Sequence, residues 1–166
     1  MRYIVSALIM VLICLDLNTA QARAPYERES LRGLPGVVVV IETITPEAQA
    51  DGLSEEAIQA AVELILQSSD IRILIESDGL KVFSHPWLYV VPNIGKAPPY
   101  YYYNVSFRLI QEVLPVQGRQ HRMAATTWEG NTAGIVTNND LREVILEIIE
   151  RWAKAFANDF LAVNPR

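Results

Sequence analysis

The chain has 166 residues, 51% of them apolar and 20% charged, with a formal net charge of −5 at pH 7. That balance suits a globular domain and excludes a disordered chain. The acidic charge, offset by no basic run, argues against nucleic acid and against anionic membrane surfaces as partners.

The first 22 residues read as a secretory signal peptide. Arg2 supplies a positive start, Ile4 to Leu15 is an apolar run broken only by Ser6, and Ala20-Gln21-Ala22 is a small-x-small cleavage site. The run is too short for a spanning helix, which needs about 20 residues. Asp16 and Asn18 follow it at once, so no stable membrane span is expected. A cut after Ala24 would place Pro25 beside the scissile bond, which favours cleavage after Ala22. Cys14 follows Ile13 rather than the small residue of a lipobox, and reads as a small hydrophobe. Cleavage removes it, and the mature chain then has no cysteine for a disulfide, a thiolate nucleophile or a metal site. Removing 22 of 166 residues leaves 144, enough for one domain with a core. The expected organisation is a signal peptide over residues 1–22, a flexible linker over 23–34 and a single α+β domain over 35–166. The chain is expected to be exported, into the periplasm.

Val37 to Ile41 is an unbroken β-branched run after Pro35-Gly36, which predicts a strand buried on both faces. A loop through Asp51-Gly52 follows. Ser54 then reads as a helix N-cap, with Glu55 and Glu56 in the first turn, where the dipole favours negative charge. Leu53 and Ile58 occupy the positions of a hydrophobic staple. Ile58, Ala61, Val62, Ile65 and Leu66 fall on one helix face, and Ser68-Ser69-Asp70 ends the element. Ile71, Ile73 and Ile75 alternate with other residues and predict a second strand. Strand, helix and strand in that order predict a right-handed crossover between parallel strands.

Trp87 to Val91 reads as a short strand limited by Pro86 and Pro92, and Ile94 to Pro99 as a turn. Tyr100 to Leu114 is a long strand with Val105, Phe107 and Leu109 on one face and Asn104, Ser106 and Arg108 on the other. After a turn at Pro115 to Gly118, Arg119 to Trp128 is the next strand. These three predict an antiparallel meander. A loop of small residues, Gly130 to Gly134, leads to a last helix capped by Asn139 or Asp140. Leu141, Val144, Ile145, Ile148, Trp152, Phe156 and Phe160 form its apolar stripe. Glu147/Arg151 and Glu150/Lys154 are i, i+4 pairs, and Asn164-Pro165 is a stop. The predicted fold is α+β: a mixed sheet of about five strands in the order β-α-β-β-β-β-α. Two helices pack on one face as a two-layer sandwich, leaving the other face partly polar.

Chemistry-bearing residues are sparse. His85 and His121 lie in different segments without ligand spacing, so no metal or other cofactor is expected. No nucleophile elbow, phosphate loop, dinucleotide fingerprint or zinc-protease motif occurs. Ser84-His85 are adjacent and so do not point at each other as a nucleophile and base would. Asp70, Glu76 and Asp78 bracket a strand as solvated ends commonly do. Gly130 to Gly134 before a helix has the flavour of an anion site, but Ile135 to Asn138 intervene, and a flexible turn explains the glycines as well. Tyr100 to Tyr103 is the most unusual stretch. On a strand two of these rings point inward and two outward, and the outward pair would lie near Trp87 or Tyr89. Tyrosine is a good strand residue, and it also gives large contact area at small entropic cost. Asn104-Val105-Ser106 matches a glycosylation sequon but lies mid-strand.

Two segments, Leu31-Arg32-Gly33-Leu34-Pro35-Gly36-Val37 and the ending Phe156 to Pro165, resemble a family of uncharacterised exported bacterial proteins. Its members end on an F-x-N-D-aromatic-L-x-x-N-P pattern after a T-W strand, here Thr127-Trp128. That resemblance implies structural motif positions and carries no activity. The order of elements is also similar to the envelope α/β domains of the TolB amino-terminal and curli-assembly types, which implies an assembly or interaction role.

The expected function is a non-catalytic binding domain of the cell envelope, with Trp87, Tyr100 and Tyr102 as contact residues. Its partner would be an envelope protein or a small ligand. The alternative is a small hydrolase or ligand-binding protein using the Gly130 to Asp140 loop. Self-association through an open sheet edge, giving a homo-oligomer, is a third expectation.

Overall fold

The computed structural model describes residues 25–75, 85–117 and 121–165. The expected signal peptide and its cleavage site lie outside these residues, as do Cys14, Glu76, Asp78 and Ser84. Helix α1 (Pro25–Glu29) opens the described chain. Residues 25–34, read from the sequence as part of a flexible linker, are instead tied to the domain. Leu31 is fully buried, Ser30 Oγ donates to the Thr127 carbonyl at 3.2 Å, and the Gly33 amide donates to Asn164 Oδ1 at 2.7 Å. Burial of Leu31 contributes about 2 kcal/mol, and these hydrogen bonds add to it in holding the segment against the domain.

Strand β1 (Val38–Ile41) pairs in parallel with β2 (Trp87–Ala97), Val38 lying opposite Trp87. Strands β3 (Tyr100–Val113) and β4 (Met123–Thr137) continue the sheet antiparallel, in the order β1-β2-β3-β4. Among the described residues the sheet thus has four strands, not about five. Residues 71–75, expected as a strand, make one parallel bridge from Ile73 to Val37. Their alternation does not mark a sheet face, since Ile71 is buried whereas Ile75 is 85% exposed. The crossover from β1 therefore lands on β2. Because β1 is an outer strand, Val39, Val40 and Ile41 are only half-buried, and burial on both faces is confined to Val37 and Val38.

Strand β2 runs through Pro92 to Ala97, so the turn expected over 94–99 shrinks to Pro98-Pro99, joined by a cis peptide bond. The proline is tolerated for a topological reason. Val90 is the last β2 residue to serve β1, accepting from the Glu42 amide at 2.9 Å. Two residues on, Pro92 turns its missing N–H to the same side, where β1 has ended.

Helix α2 (Pro46–Ala50) replaces the expected loop. Thr45 Oγ1 accepts from the Ala48 amide at 3.4 Å, and Pro46 starts the helix with the φ it needs. Helix α3 (Glu55–Ser68) begins as predicted, with Ser54 Oγ accepting from the Ala57 amide at 3.1 Å. The staple residues Leu53 and Ile58 are both buried. The last helix, α4 (Leu141–Val163), follows a short 3₁₀ turn over Asn138–Asp140. Asp140 holds the cap position, yet its carboxylate accepts from Thr137 Oγ1 at 2.6 Å instead of capping the helix. Lys154 pairs with Glu150 at 3.0 Å, while Arg151 turns to Thr132.

Leu88, Val90 and Ile94 of β2, Tyr101, Val105, Phe107 and Leu109 of β3, and Trp128 and Val136 of β4 are buried. The period of two places them on one sheet face. Ile58, Val62 and Leu66 of α3 and Ile145, Ile149 and Phe156 of α4 join them in one cluster. The opposite face carries Asn93, Asn104, Arg108, Glu129, Asn131 and Ala133, all exposed.

Candidate functional site

Among the described residues the open sheet face is a surface available for binding. Tyr100 and Tyr102 lie on it, 50% and 56% exposed, with Ile135 beside Tyr102 on β4 at 73%. The Tyr102 ring lies across Gly95 of β2, where a side chain of any size would collide with it. The missing Cβ lets the ring lie against the strand, and strand pairing holds it there. Further along, Asn131 Nδ2 donates to Asn104 Oδ1 at 2.6 Å. Trp87 shares the face but pairs with Ile110, eight residues along β3 from Tyr102. At about 3.3 Å per residue that separation is roughly 26 Å. The fold therefore brings Tyr100 and Tyr102 together and leaves Trp87 at the other end.

The Gly130 to Asp140 loop proposed for ligand binding is not a loop. Gly130 to Thr137 is the second half of β4. Its glycines are spacing devices: Gly130 lies under the Trp152 ring and Gly134 under Tyr103. Runs of small residues look like turns in sequence, and only the aromatic rings above them reveal a strand. Pro99, Tyr100, Thr137, Asn138 and Asn139 line a shallow open depression of about 320 Å³. Asn138 Oδ1 is buried there without a hydrogen-bond partner among the described residues. The depression brings no histidine, and its Thr137 hydroxyl is engaged by Asp140. These residues form no nucleophile–base pair.

Among the described residues Asp51, Lys96 and Tyr101 form a tight titratable cluster. Lys96 Nζ and the Tyr101 hydroxyl donate to the same Asp51 oxygen at 2.7 and 2.6 Å. The hydroxyl also reaches the Glu47 carbonyl at 2.9 Å. The Lys96 hydrogen bond, then that of Tyr101, holds the Asp51 carboxyl below its usual range. Burial, then the Asp51 contact, pushes the Tyr101 hydroxyl up. A raised phenol is a poor base near neutral pH, so the cluster works as a staple. It fastens α2 to the β2–β3 hairpin.

The motif residues behind the family resemblance converge at the other end of the sheet. Trp128 is buried, edge-on to Phe156 with ring centres 5.0 Å apart, and its Nε1 donates to Asp159 Oδ2 at 3.0 Å. Arg28 Nε donates to the other Asp159 oxygen at 3.1 Å. Asn164 Nδ2 donates to the Leu31 and Phe160 carbonyls, both at 2.9 Å. At the bulge in β4, Gln111 Nε2 donates to Thr127 Oγ1 at 2.6 Å and to the Ser30 carbonyl at 3.1 Å. The polar motif positions thus lash the amino-terminal segment onto α4 and β4. Apolar periodicity picks out the aromatic positions of this ending and is silent on Asp159 and Asn164.

His121 is exposed and His85 half-buried, in separate segments. Among the described residues no group of three or more His, Cys, Asp or Glu could hold a metal ion. Among the same residues no helix is long and apolar enough to cross a membrane.

No protein-family model matches the chain, and no curated protein matches it closely. Among solved structures it is similar to a minor lipoprotein from Acinetobacter baumannii. The identity is 10% and the TM-score 0.34, over 77% of this chain and 93% of that one. At that distance the likeness assigns no function. The resemblance in the two motif segments therefore stands on their residues alone.

Proposed function

We propose that this chain is an exported, non-catalytic binding domain of the bacterial cell envelope, released into the periplasm by cleavage after Ala22. In this reading the helices and sheet form two layers, and the uncovered sheet face docks a protein partner through Tyr100, Tyr102 and Ile135. The observation that carries it is the asymmetry of the sheet. One face is sealed by apolar side chains, while the other presents three large, exposed, adjacent residues at one end. Tyrosine anchors bind at small entropic cost and dominate many interfaces. Trp87, at the far end of the same face, joins the contact when the partner spans the length of the strands.

Site-directed photocrosslinking in intact cells tests this. A photoreactive phenylalanine at Tyr102 or Ile135 is expected to trap one protein adduct. The same residue at Leu64, on α3 and 69% exposed, is expected to trap none. The Tyr100→Ala, Tyr102→Ala double variant should lose the adduct at Ile135. Equal labelling from Leu64, or no adduct from the open face, would overturn the reading.

A further inference from the structure

Strand β4 is the last of the sheet, and among the described residues its outer backbone edge has no partner over residues 129–137. The register says which groups face outward. Ala97 and Tyr100 flank a two-residue link and form a hydrogen-bonded closing pair. Even-numbered residues of β3 therefore bond to β2, and odd-numbered ones to β4. Their partners in β4 are Trp128, Gly130, Thr132, Gly134 and Val136. Glu129, Asn131, Ala133, Ile135 and Thr137 consequently turn both N–H and C=O away from the sheet.

Open edges are usually blunted by lysine, proline, an inward charge or a covering segment. Gly130 to Thr137 contains no charge and no proline. The amino-terminal segment reaches only the start of the strand, where Ser30 meets Thr127. The opposite edge is different, being four residues long and bridged by Ile73.

We propose that β4 pairs antiparallel with β4 of a second copy, about a two-fold axis at Ala133, fusing two four-stranded sheets into one. Unpaired backbone groups in a row call for another strand. A second copy of this chain supplies such a strand in a self-complementary register. Centring on Ala133 is the arrangement that pairs all five outward residues: Ala133 faces itself, Asn131 faces Ile135, and Glu129 faces Thr137. No like charges meet. The same axis reverses α4, whose Arg151 Nη2 reaches Thr132 on β4 at 2.9 Å. Glu147 lies one turn earlier on that side of the helix, so each copy brings an acid towards the base of the other. The Tyr102–Ile135 patches of both copies then lie on one continuous sheet face.

The test is the mass of the intact protein in solution, measured by light scattering over a concentration series. The wild-type protein is expected to reach twice the chain mass. Ala133→Lys and Ala133→Glu each place like charges opposite one another across the axis, and both are expected to stay at the single-chain mass. Ala133 is exposed, so the circular dichroism of both variants should match wild type. An equal mixture of the two variants should recover the doubled mass, because lysine then faces glutamate. A wild-type protein that stays single at every concentration overturns the proposal, as do variants that pair as well as wild type. A single-chain mass together with an intact open-face crosslink would remove the dimer and leave the docking surface standing.

Discussion

Replacing Asn164 by alanine should loosen the amino-terminal strap and destabilise the whole domain. The side chain makes three hydrogen bonds: from Gly33 at 2.7 Å, to Leu31 at 2.9 Å and to Phe160 at 2.9 Å. Each is worth about 0.5–1.5 kcal/mol net. The Gly33 contact is exposed, so water recovers part of its loss, while the other two are partly buried. The expected cost is about 2–3 kcal/mol, or roughly 6–10 °C in melting temperature for a domain of this size. Urea unfolding should show a lower midpoint at unchanged slope. Amide exchange at Gly33 should quicken beyond the global change, because that amide loses its acceptor. Asn164→Asp keeps the Gly33 acceptor but turns a carboxylate oxygen on the Leu31 and Phe160 carbonyls at the negative end of α4, and should be no more stable than Asn164→Ala. A stability within about 0.5 kcal/mol of wild type, with Gly33 protection intact, would refute the idea that Asn164 holds the strap.

The glycine beneath Trp152 makes an opposite kind of prediction. Gly130→Ala sets a Cβ inside the Trp152 ring, which must shift from its edge-on contact with Trp128, 6.5 Å between centres. Overpacking of this sort costs about 1–3 kcal/mol, and the near-ultraviolet dichroism of the tryptophans should change with it. Unaltered stability and spectrum would show that the ring does not need the glycine. Stability should also fall in acid. Hydrogen bonds from Lys96 and Tyr101 hold the Asp51 carboxyl below its usual range, and the Ile44 amide does the same for Glu55. The unfolded chain therefore takes up these protons first. The stabilisation is complete above the unfolded values and drains away as pH falls through the folded ones. Thermal midpoints measured from about pH 6 down to about pH 3 should drop less steeply for Asp51→Asn than for wild type. Equal slopes would mean that Asp51 gains nothing from its partners.

The depth of burial along each strand is where reading the sequence and reading the structure part company. Val105, Phe107 and Leu109 are found on the buried face as alternation predicts, because they have a partner strand on either side. Ile71, Ile73 and Ile75 alternate just as regularly and form no strand. Alternation records a side-chain pattern and not which backbone groups find partners. The candidate surface was legible in part. The outward direction of Tyr100 and Tyr102 follows from the pleat, but their distance from Trp87 follows only from the β2–β3 register. Ile135 was hidden by its small neighbours, which read as a loop until Trp152 and Tyr103 are seen lying over Gly130 and Gly134.

By itself the sequence determined the two long helices. Ser54 capping α3, the Leu53–Ile58 staple and the apolar stripe from Leu141 to Phe160 are all written in residues a few positions apart. Local backbone geometry acts over that same range. The tertiary structure alone decided the strand order, the unpaired edge of β4, the Asp51–Lys96–Tyr101 staple and the lashing of Gly33 to Asn164 across 131 residues. Those features depend on which distant segments meet. Meeting is governed by the shared core and by loop closure, which no short window of sequence contains.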